Sequence, residues 1–145
     1  MEFASLEREI YIEASPDIVF DVVSDPVHVT EWWPDEARYD VAPGSSGEIS
    51  FGDKVVGLTV VDVRPPTLFS FRWTQPTGED AIEGNSLLVT FTLTPSGSGT
   101  TLTMVETGFR EMGWDAAVLE ETYQDHVSGW DHFVPRIAPY AEKLQ

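Results

Sequence analysis

The chain has 145 residues, a length that fits one domain with a sizeable hydrophobic core. Its 8 Lys and Arg against 25 Asp and Glu give a formal net charge of −17, so its surface repels phosphate backbones and anionic lipid headgroups. We therefore expect no nucleic-acid and no membrane partner. The sequence has no cysteine, which excludes disulfides, thiolate catalysis and cysteine-ligated metal sites.

We expect no signal peptide and no membrane-spanning helix. The first nine residues have neither the basic segment nor the apolar run of a signal peptide. No apolar run approaches the roughly 18 residues that a membrane-spanning helix needs. We expect a soluble cytoplasmic protein made of a single domain over residues 1–145, with residues 1–5 as an N-terminal tail.

The opening segment predicts one strand and two short helices. Apolar and polar side chains alternate over residues 6–13, the pattern of a half-buried strand. A Ser-Pro pair at 15–16 offers an N-cap and a proline suited to the first helical turn. An Asp-Pro pair at 25–26 repeats this signature and predicts a second short helix that carries Trp32 and Trp33.

The segment from residue 36 to 108 predicts strands separated by turns rich in Gly, Pro and Ser. In the last three strands alternate positions are mostly large and apolar, which favours an antiparallel sheet with one apolar face. The predicted strands are residues 48–51, 55–63, 67–74, 85–94 and 100–107. The inward positions of the last three are Phe69, Phe71, Trp73, Val89, Phe91, Leu93, Leu102, Met104 and Glu106.

The final segment predicts a long amphipathic helix. After residue 114, apolar residues recur every three or four positions as far as Leu144. Pro135 and Pro139 lie inside this run and predict a kink or a broken last segment. The helix must bury its apolar stripe, and the apolar sheet face is the large partner available. The predicted fold class is α+β, a curved antiparallel sheet of six to seven strands wrapped on this helix.

Four stretches, in chain order, carry a resemblance to a known family. They are residues 8–33 around the Asp-Pro and Trp-Trp pairs, residues 57–73, residues 89–103, and the Gly129–Trp130 pair with Leu144. Together they are similar to the START-like (SRPBCC, helix-grip) superfamily, and most of all to its activator of Hsp90 ATPase homologue-like family. The resemblance implies a helix-grip fold. It does not imply the co-chaperone role that gives the family its name, because packing and turn motifs do not specify chemistry.

The inward aromatic residues predict either a solid core or a ligand cavity. Each buried aromatic side chain contributes on the order of 2–3 kcal/mol in both cases. In helix-grip proteins the sheet and the long helix enclose a cavity, and the resemblance implies the same here, for a small apolar or aromatic molecule. The predicted ligand-binding residues are Trp32, Trp33, Phe51, Phe69, Phe71, Trp73, Phe91, Met104, Trp130 and Phe133.

Two titratable residues fall on these apolar faces. Glu106 shares its strand face with Leu102 and Met104, and His126 lies on the same helix stripe as Trp130. A carboxylate and an imidazole aimed into one cavity can act as general acid and base, or orient a ligand. In the alternative interpretation, Glu106 lies in water at the cavity mouth and His126 hydrogen-bonds backbone groups.

The sequence predicts no cofactor and no metal site. His126 and His132 are six residues apart, which places them roughly 120° apart on a helix, so they cannot chelate one ion. The Gly-Ser-Gly segment at 97–99 lacks the third glycine of a dinucleotide-binding loop and links two strands.

Three hypotheses for function follow. The first is a small-molecule-binding protein, which predicts a closed apolar cavity. The second is a cofactor-independent cyclase, dehydratase or hydrolase that uses Glu106 and His126, since the superfamily includes polyketide cyclases and dehydratases; it predicts interior polar groups within hydrogen-bond reach. The third is a stress-related or co-chaperone-like interaction module, whose acidic surface docks a basic protein partner; it predicts a solid core and an exposed apolar patch. The oligomeric state is left open.

Overall fold

Seven strands form one antiparallel sheet in a computed structural model that describes residues 2–145. The strands are β1 (Ser5–Ile12), β2 (Glu36–Arg38), β3 (Ser46–Phe51), β4 (Lys54–Arg64), β5 (Leu68–Trp73), β6 (Leu87–Ser96) and β7 (Gly99–Thr107). Their order across the sheet is β1-β7-β6-β5-β4-β3-β2. The helices are α1 (Pro16–Ser24), α2 (Pro26–Val29), α3 (Ala116–Phe133) and α4 (Ile137–Leu144). The predicted α+β helix-grip fold is confirmed.

The register of the central strands places the predicted apolar face inward. Phe71 pairs with Val89, and Phe91 pairs with Met104, so large side chains from β5, β6 and β7 stand side by side. All nine inward positions predicted for these strands are buried, Glu106 among them. Period-2 alternation predicts the faces correctly because strand side chains point to opposite sides in turn.

The short strand β2 is not among the strands that the sequence pattern predicts. It contributes only three residues, paired from Glu36–Ser50 to Arg38–Glu48 at the edge of the sheet. Such a short edge strand carries too few residues for alternation to be read. In β4 the pairing register shifts between Val60 and Asp62, a bulge of the kind that bends a strand and increases its twist.

The two short helices begin where the caps predict. The Ser15 hydroxyl accepts a hydrogen bond from the Ile18 amide, and the Asp25 carboxylate accepts one from the Val27 amide. The prediction for Trp32 and Trp33 was wrong, because α2 ends at Val29 and both tryptophans lie on the turn that follows. β-Branched residues give this segment little helix propensity, and a proline after Trp33 disfavours helical backbone there.

The C-terminal helix is broken as the prolines predict. Helix α3 ends at Phe133, a 3₁₀ turn spans Val134–Arg136, and α4 continues from Ile137. Proline removes a backbone donor and clashes with the preceding turn, which interrupts the α-helical hydrogen bonding at this point. The end of the predicted apolar stripe departs from expectation, since Leu144 is exposed at the last position of α4.

Strand β1 and helix α3 are joined by polar contacts at one edge of the fold. The Arg8 Nε donates to an Asp131 carboxylate oxygen at 2.6 Å, which holds the pKa of that carboxyl below its usual range. The Tyr123 hydroxyl donates to the Ser5 carbonyl at 2.7 Å. In the predicted N-terminal tail, Phe3 packs against the Tyr123 ring, while Met1 lies outside the described residues.

Among residues 2–145, no helix combines the length and the hydropathy that a bilayer crossing demands.

Candidate functional site

A cleft of about 200 Å³ lies between α3, the hairpin that joins β3 to β4, and the end of β5. Five aromatic side chains, one histidine, two charged side chains and one glycine line it. The lining residues are Trp33, Phe51, Lys54, Trp73, Asp125, His126, Gly129, Trp130 and Phe133. Those from α3 fall on one side of the helix because they recur at intervals of three and four residues.

Aromatic rings fill the concavity of the sheet beneath this cleft. The Trp33 ring centroid lies 4.9 Å from that of Trp73 and 5.1 Å from that of Trp130. Trp33 also lies 5.6 Å from Phe71 and 5.9 Å from Phe51. These separations are those of packed aromatic pairs. The space between sheet and helix is therefore an open cleft at one end of a packed core, whereas the small-molecule-binding hypothesis predicts a closed cavity.

Glu106 is fully buried at the base of this aromatic layer. Its Oε2 accepts a hydrogen bond from Trp73 Nε1 at 2.7 Å. Its Oε1 accepts one from Trp130 Nε1 at 2.9 Å and lies 2.8 Å from His126 Nδ1. A buried carboxylate is costly unless it is paired and hydrogen-bonded. Three ring nitrogens from two elements satisfy it here, so both oxygens are engaged.

The His126 imidazole connects the buried carboxylate to the cleft. Its side chain is 16% exposed, and its ring packs against Trp73 and Phe109 with centroids 5.3 Å and 5.4 Å away. Nδ1 is engaged by Glu106, and no hydrogen bond to Nε2 is formed within residues 2–145. Nε2 is therefore the ring nitrogen free to contact an occupant of the cleft.

The rim of the cleft carries opposite charges. Lys54 at the start of β4 and Asp125 on α3 are both exposed. Neither forms an ion pair within the part of the chain that the structure describes. Because water screens exposed charges strongly, these two side chains contribute less to the interior of the cleft than His126 does.

Gly129 is an unusual residue for the middle of a long helix. Glycine costs roughly 1 kcal/mol relative to alanine in a helix interior. Close packing does not explain it, since a Cβ added at Gly129 meets no heavy atom within 4 Å. The space beside this glycine belongs to the cleft that it lines.

Comparison with known proteins identifies the family. Residues 13–142 match the family model described as Activator of Hsp90 ATPase homolog 1-like protein. The chain belongs to this family. No curated protein matches it in sequence.

Solved structures of this family's fold resemble the chain over most of its length. Protein MLL2253 from Mesorhizobium loti has a TM-score of 0.80 at 23% identity, with 97% of this chain and 98% of that chain covered. DynU16, a putative protein in the dynemicin biosynthetic locus, has a TM-score of 0.73 at 26% identity over 96% of this chain and 47% of its own. The Aha1 dimer from Colwellia psychrerythraea has a TM-score of 0.68 at 14% identity, with 92% of each chain covered.

In this member of the family, the structure divides the predicted ligand-binding residues into two groups. Trp33, Phe51, Trp73, Trp130 and Phe133 line the cleft. The remaining five are buried in the core and do not reach the lining; they are Trp32, Phe69, Phe71, Phe91 and Met104. Trp32, for example, donates from its Nε1 to the Val22 carbonyl at 2.8 Å, which fixes it against α1.

Sequence reasoning brought Glu106 and His126 together but missed other residues of the site. The hydrogen-bonding role of the Trp73 and Trp130 indoles carries no sequence signal, since indole N–H groups serve equally well at a surface. Gly129 lies three residues after His126, and Asp125 lies four residues before Gly129, so helical spacing could have found them. Within residues 2–145, no group of three or more His, Asp or Glu side chains is placed to hold a metal ion.

Proposed function

We propose that this protein binds a small apolar or aromatic molecule in the cleft between α3 and the β3–β4 hairpin. The observation that carries the proposal is an aromatic-lined space of about 200 Å³ beside a helix-interior glycine. For scale, an engineered apolar cavity of about 150 Å³ in another protein holds benzene. The cleft therefore has the size for a molecule of one ring or two fused rings. Such a molecule is smaller than the ligands of typical pockets, which have volumes of about 300–1,000 Å³.

The surroundings of the cleft support a small-molecule role over a protein-docking role. The large apolar side chains exposed within residues 2–145 are spread over β1, α2, β4, α3, α4 and one loop, whereas docking surfaces gather such side chains into one patch. The similar DynU16 is described as belonging to a biosynthetic locus, a setting in which small molecules are handled. The lack of cysteine fits a reducing compartment and a cytoplasmic location.

Binding can be tested by filling the cleft from Gly129. Naphthalene and indole are titrated into labelled protein, and the indole N–H signals of Trp33, Trp73 and Trp130 are followed by NMR. We expect saturable shifts in the wild type. Gly129→Leu should abolish them without loss of fold, because its side chain grows into open space. The matched control Gly129→Ala should still bind. Unshifted wild-type signals, or equal binding by Gly129→Leu, would overturn the proposal.

A second candidate function is acid–base catalysis in the same cleft. The contact between Glu106 Oε1 and His126 Nδ1 at 2.8 Å favours it, because a carboxylate that orients an imidazole is a recurring arrangement for general bases. Proton removal beside a carbonyl is a step common to cyclisation and dehydration chemistry. No nucleophile is required for it.

This catalytic candidate predicts enolisation of a small bicyclic ketone. We expect the wild type to accelerate exchange of the α protons of 2-tetralone in deuterated water, measured by NMR. His126→Gln should lose the acceleration, whereas His132→Gln, an exposed histidine of the same helix, should keep it. Exchange at the buffer rate with the wild type would eliminate general-base action on such ketones while leaving ligand binding untouched.

A further inference from the structure

We infer that the two indole donors on Glu106 fix His126 as a hydrogen-bond acceptor toward the cleft. The ligand would then be a small planar molecule that carries an O–H or N–H donor, such as a phenol or an enol. This inference rests on the proposed binding function and narrows it from apolar molecules in general to donor-bearing ones.

The first step concerns the carboxylate. Indole Nε1 is a donor only, so Trp73 and Trp130 require acceptors at Oε2 and Oε1 respectively. An ionised carboxylate supplies acceptors on both oxygens and no donor. Because Glu106 is completely buried, these contacts are not shared with bulk water. Glu106 therefore offers an acceptor oxygen to His126.

The second step concerns the imidazole. Nδ1 lies 2.8 Å from Oε1, the oxygen that also accepts from Trp130. Oε1 already accepts from the Trp130 indole, so in the proposed arrangement it accepts from Nδ1 as well, and the proton between these two atoms lies on the ring. The hydrogen bond made by one ring nitrogen determines the state of the other. A neutral ring with a proton on Nδ1 keeps its lone pair on Nε2, which is the nitrogen left for the cleft.

The third step concerns selection of the ligand. The other walls of the cleft are the aromatic surfaces of Trp33, Phe51 and Phe133, and its charges lie at the exposed rim. An apolar occupant that covers Nε2 without a donor leaves an acceptor without a partner, which is unfavourable. An occupant with a hydroxyl group satisfies it. The site therefore discriminates by hydrogen-bond donation as well as by shape.

The tautomer is tested by two-bond proton–nitrogen correlation spectra at slightly alkaline pH, with ring signals assigned from a His126→Phe variant. We expect the Nδ1–H form for wild-type His126. A pair of matched double variants should give opposite results. In Glu106→Gln/Trp130→Phe, the amide nitrogen can take the Oε1 position and donate to Nδ1, which moves the ring proton to Nε2. In Glu106→Gln/Trp73→Phe, Trp130 keeps an oxygen at that position, and the Nδ1–H form should persist.

Selection is tested with 2-naphthol and its near-isostere 2-methylnaphthalene. We expect His126→Phe to weaken 2-naphthol binding by roughly tenfold and to change 2-methylnaphthalene binding by less than about twofold. A wild-type ring that is in the Nε2–H form or doubly protonated would overturn the inference. So would equal losses for both ligands. Failure of the wild type to bind either ligand would instead overturn the proposed function, so the two failures are distinguishable.

Discussion

Glu106 is the residue at which burial and charge conflict most strongly. Taking an ionised carboxylate out of water costs several kcal/mol unless its hydrogen-bonding capacity is met. Trp73, Trp130 and His126 meet it within 2.7–2.9 Å. Replacing a single partner in such a network leaves another group unsatisfied, so the effect of a substitution should exceed that of one lost surface contact.

Glu106→Gln should lower the free energy of unfolding by about 1–3 kcal/mol. The amide nitrogen must face one of the two indole N–H groups, because Trp73 and Trp130 donate to different oxygens. Urea denaturation followed by tryptophan fluorescence measures the change. Glu121→Gln, at an exposed position of α3, is the matched control and should change stability little. Equal stability of Glu106→Gln and the wild type would show that the network is not a stabilising unit.

Gly129→Ala should raise the free energy of unfolding by about 0.5–1 kcal/mol, since alanine relieves the entropic cost of glycine in a helix. The new methyl group meets no atom within 4 Å. Gly99→Ala provides the contrast, because its Cβ would lie 2.2 Å from the Ile12 carbonyl oxygen. Thermal melts of both variants measure the difference. We expect Gly99→Ala to be strongly destabilised in them. A destabilised Gly129→Ala variant would contradict the view that this glycine only leaves space.

Among the elements of the fold, helix α3 is joined to strand β1 by two polar contacts. In the first half of the helix the Tyr123 hydroxyl donates to the Ser5 carbonyl, and in its last turn Asp131 accepts from Arg8. Between them the buried anchor is Trp130. The cleft opens on the remaining side, beside the β3–β4 hairpin. The helix thus covers the core on the β1 side and leaves the cleft open on the side of the β3–β4 hairpin.

Asp131→Asn should give a small destabilisation that depends on pH. The hydrogen bond from Arg8 lowers the pKa of Asp131 in the folded protein, so the stabilisation is present above the unfolded value of about 4. It is lost as pH falls through the folded pKa. Because Asp131 is largely exposed, we expect about 0.2–1 kcal/mol at neutral pH. Denaturation curves for both proteins should converge at low pH.

Glu120→Gln is the control for this pH series, because Glu120 is exposed on the same helix. It should show no comparable convergence. A gap between wild type and Asp131→Asn that stays constant from neutral to acidic pH would contradict the ion-pair explanation.

At the scale of the whole molecule, the net charge of −17 is the dominant property. Like charges crowded on a compact surface repel one another and oppose folding. Within the part of the chain that the structure describes, only a few cations form ion pairs, at Arg8, Arg38 and Arg64. Most acidic groups are therefore compensated only by solvent and counterions.

The melting temperature should rise as sodium chloride is added from low to physiological concentration, because salt shortens the range of this repulsion. Thermal melts in sodium chloride and in potassium chloride at equal ionic strength measure the effect. Equal rises indicate screening, whereas a rise with one cation alone would indicate specific binding. A flat or falling melting temperature would show that the acidic surface does not limit stability.

Local sequence patterns predict the face on which residues of the central strands lie and the places where the capped helices begin. Alternation in β5, β6 and β7, the caps at Ser15 and Asp25, and the break at Pro135 are consequences of local backbone geometry, so local patterns predict them. The same reasoning found Glu106 and His126 as polar residues on apolar faces. It failed for the segment that holds Trp32 and Trp33.

The division of the inward residues between the cleft and the core follows from the packing of distant elements and is not predicted by local patterns. Phe71 and Trp73 share one strand face, yet only Trp73 reaches the cleft. The position of the Trp73 side chain at the cleft depends on the distance between α3 and the sheet. It also depends on the turn that inserts Trp33 between Trp73 and Trp130. The partners of Glu106 likewise come from β5 and α3, which lie 20 to 33 residues away along the chain. Such contacts arise from the packing of distant elements, and no local period encodes them.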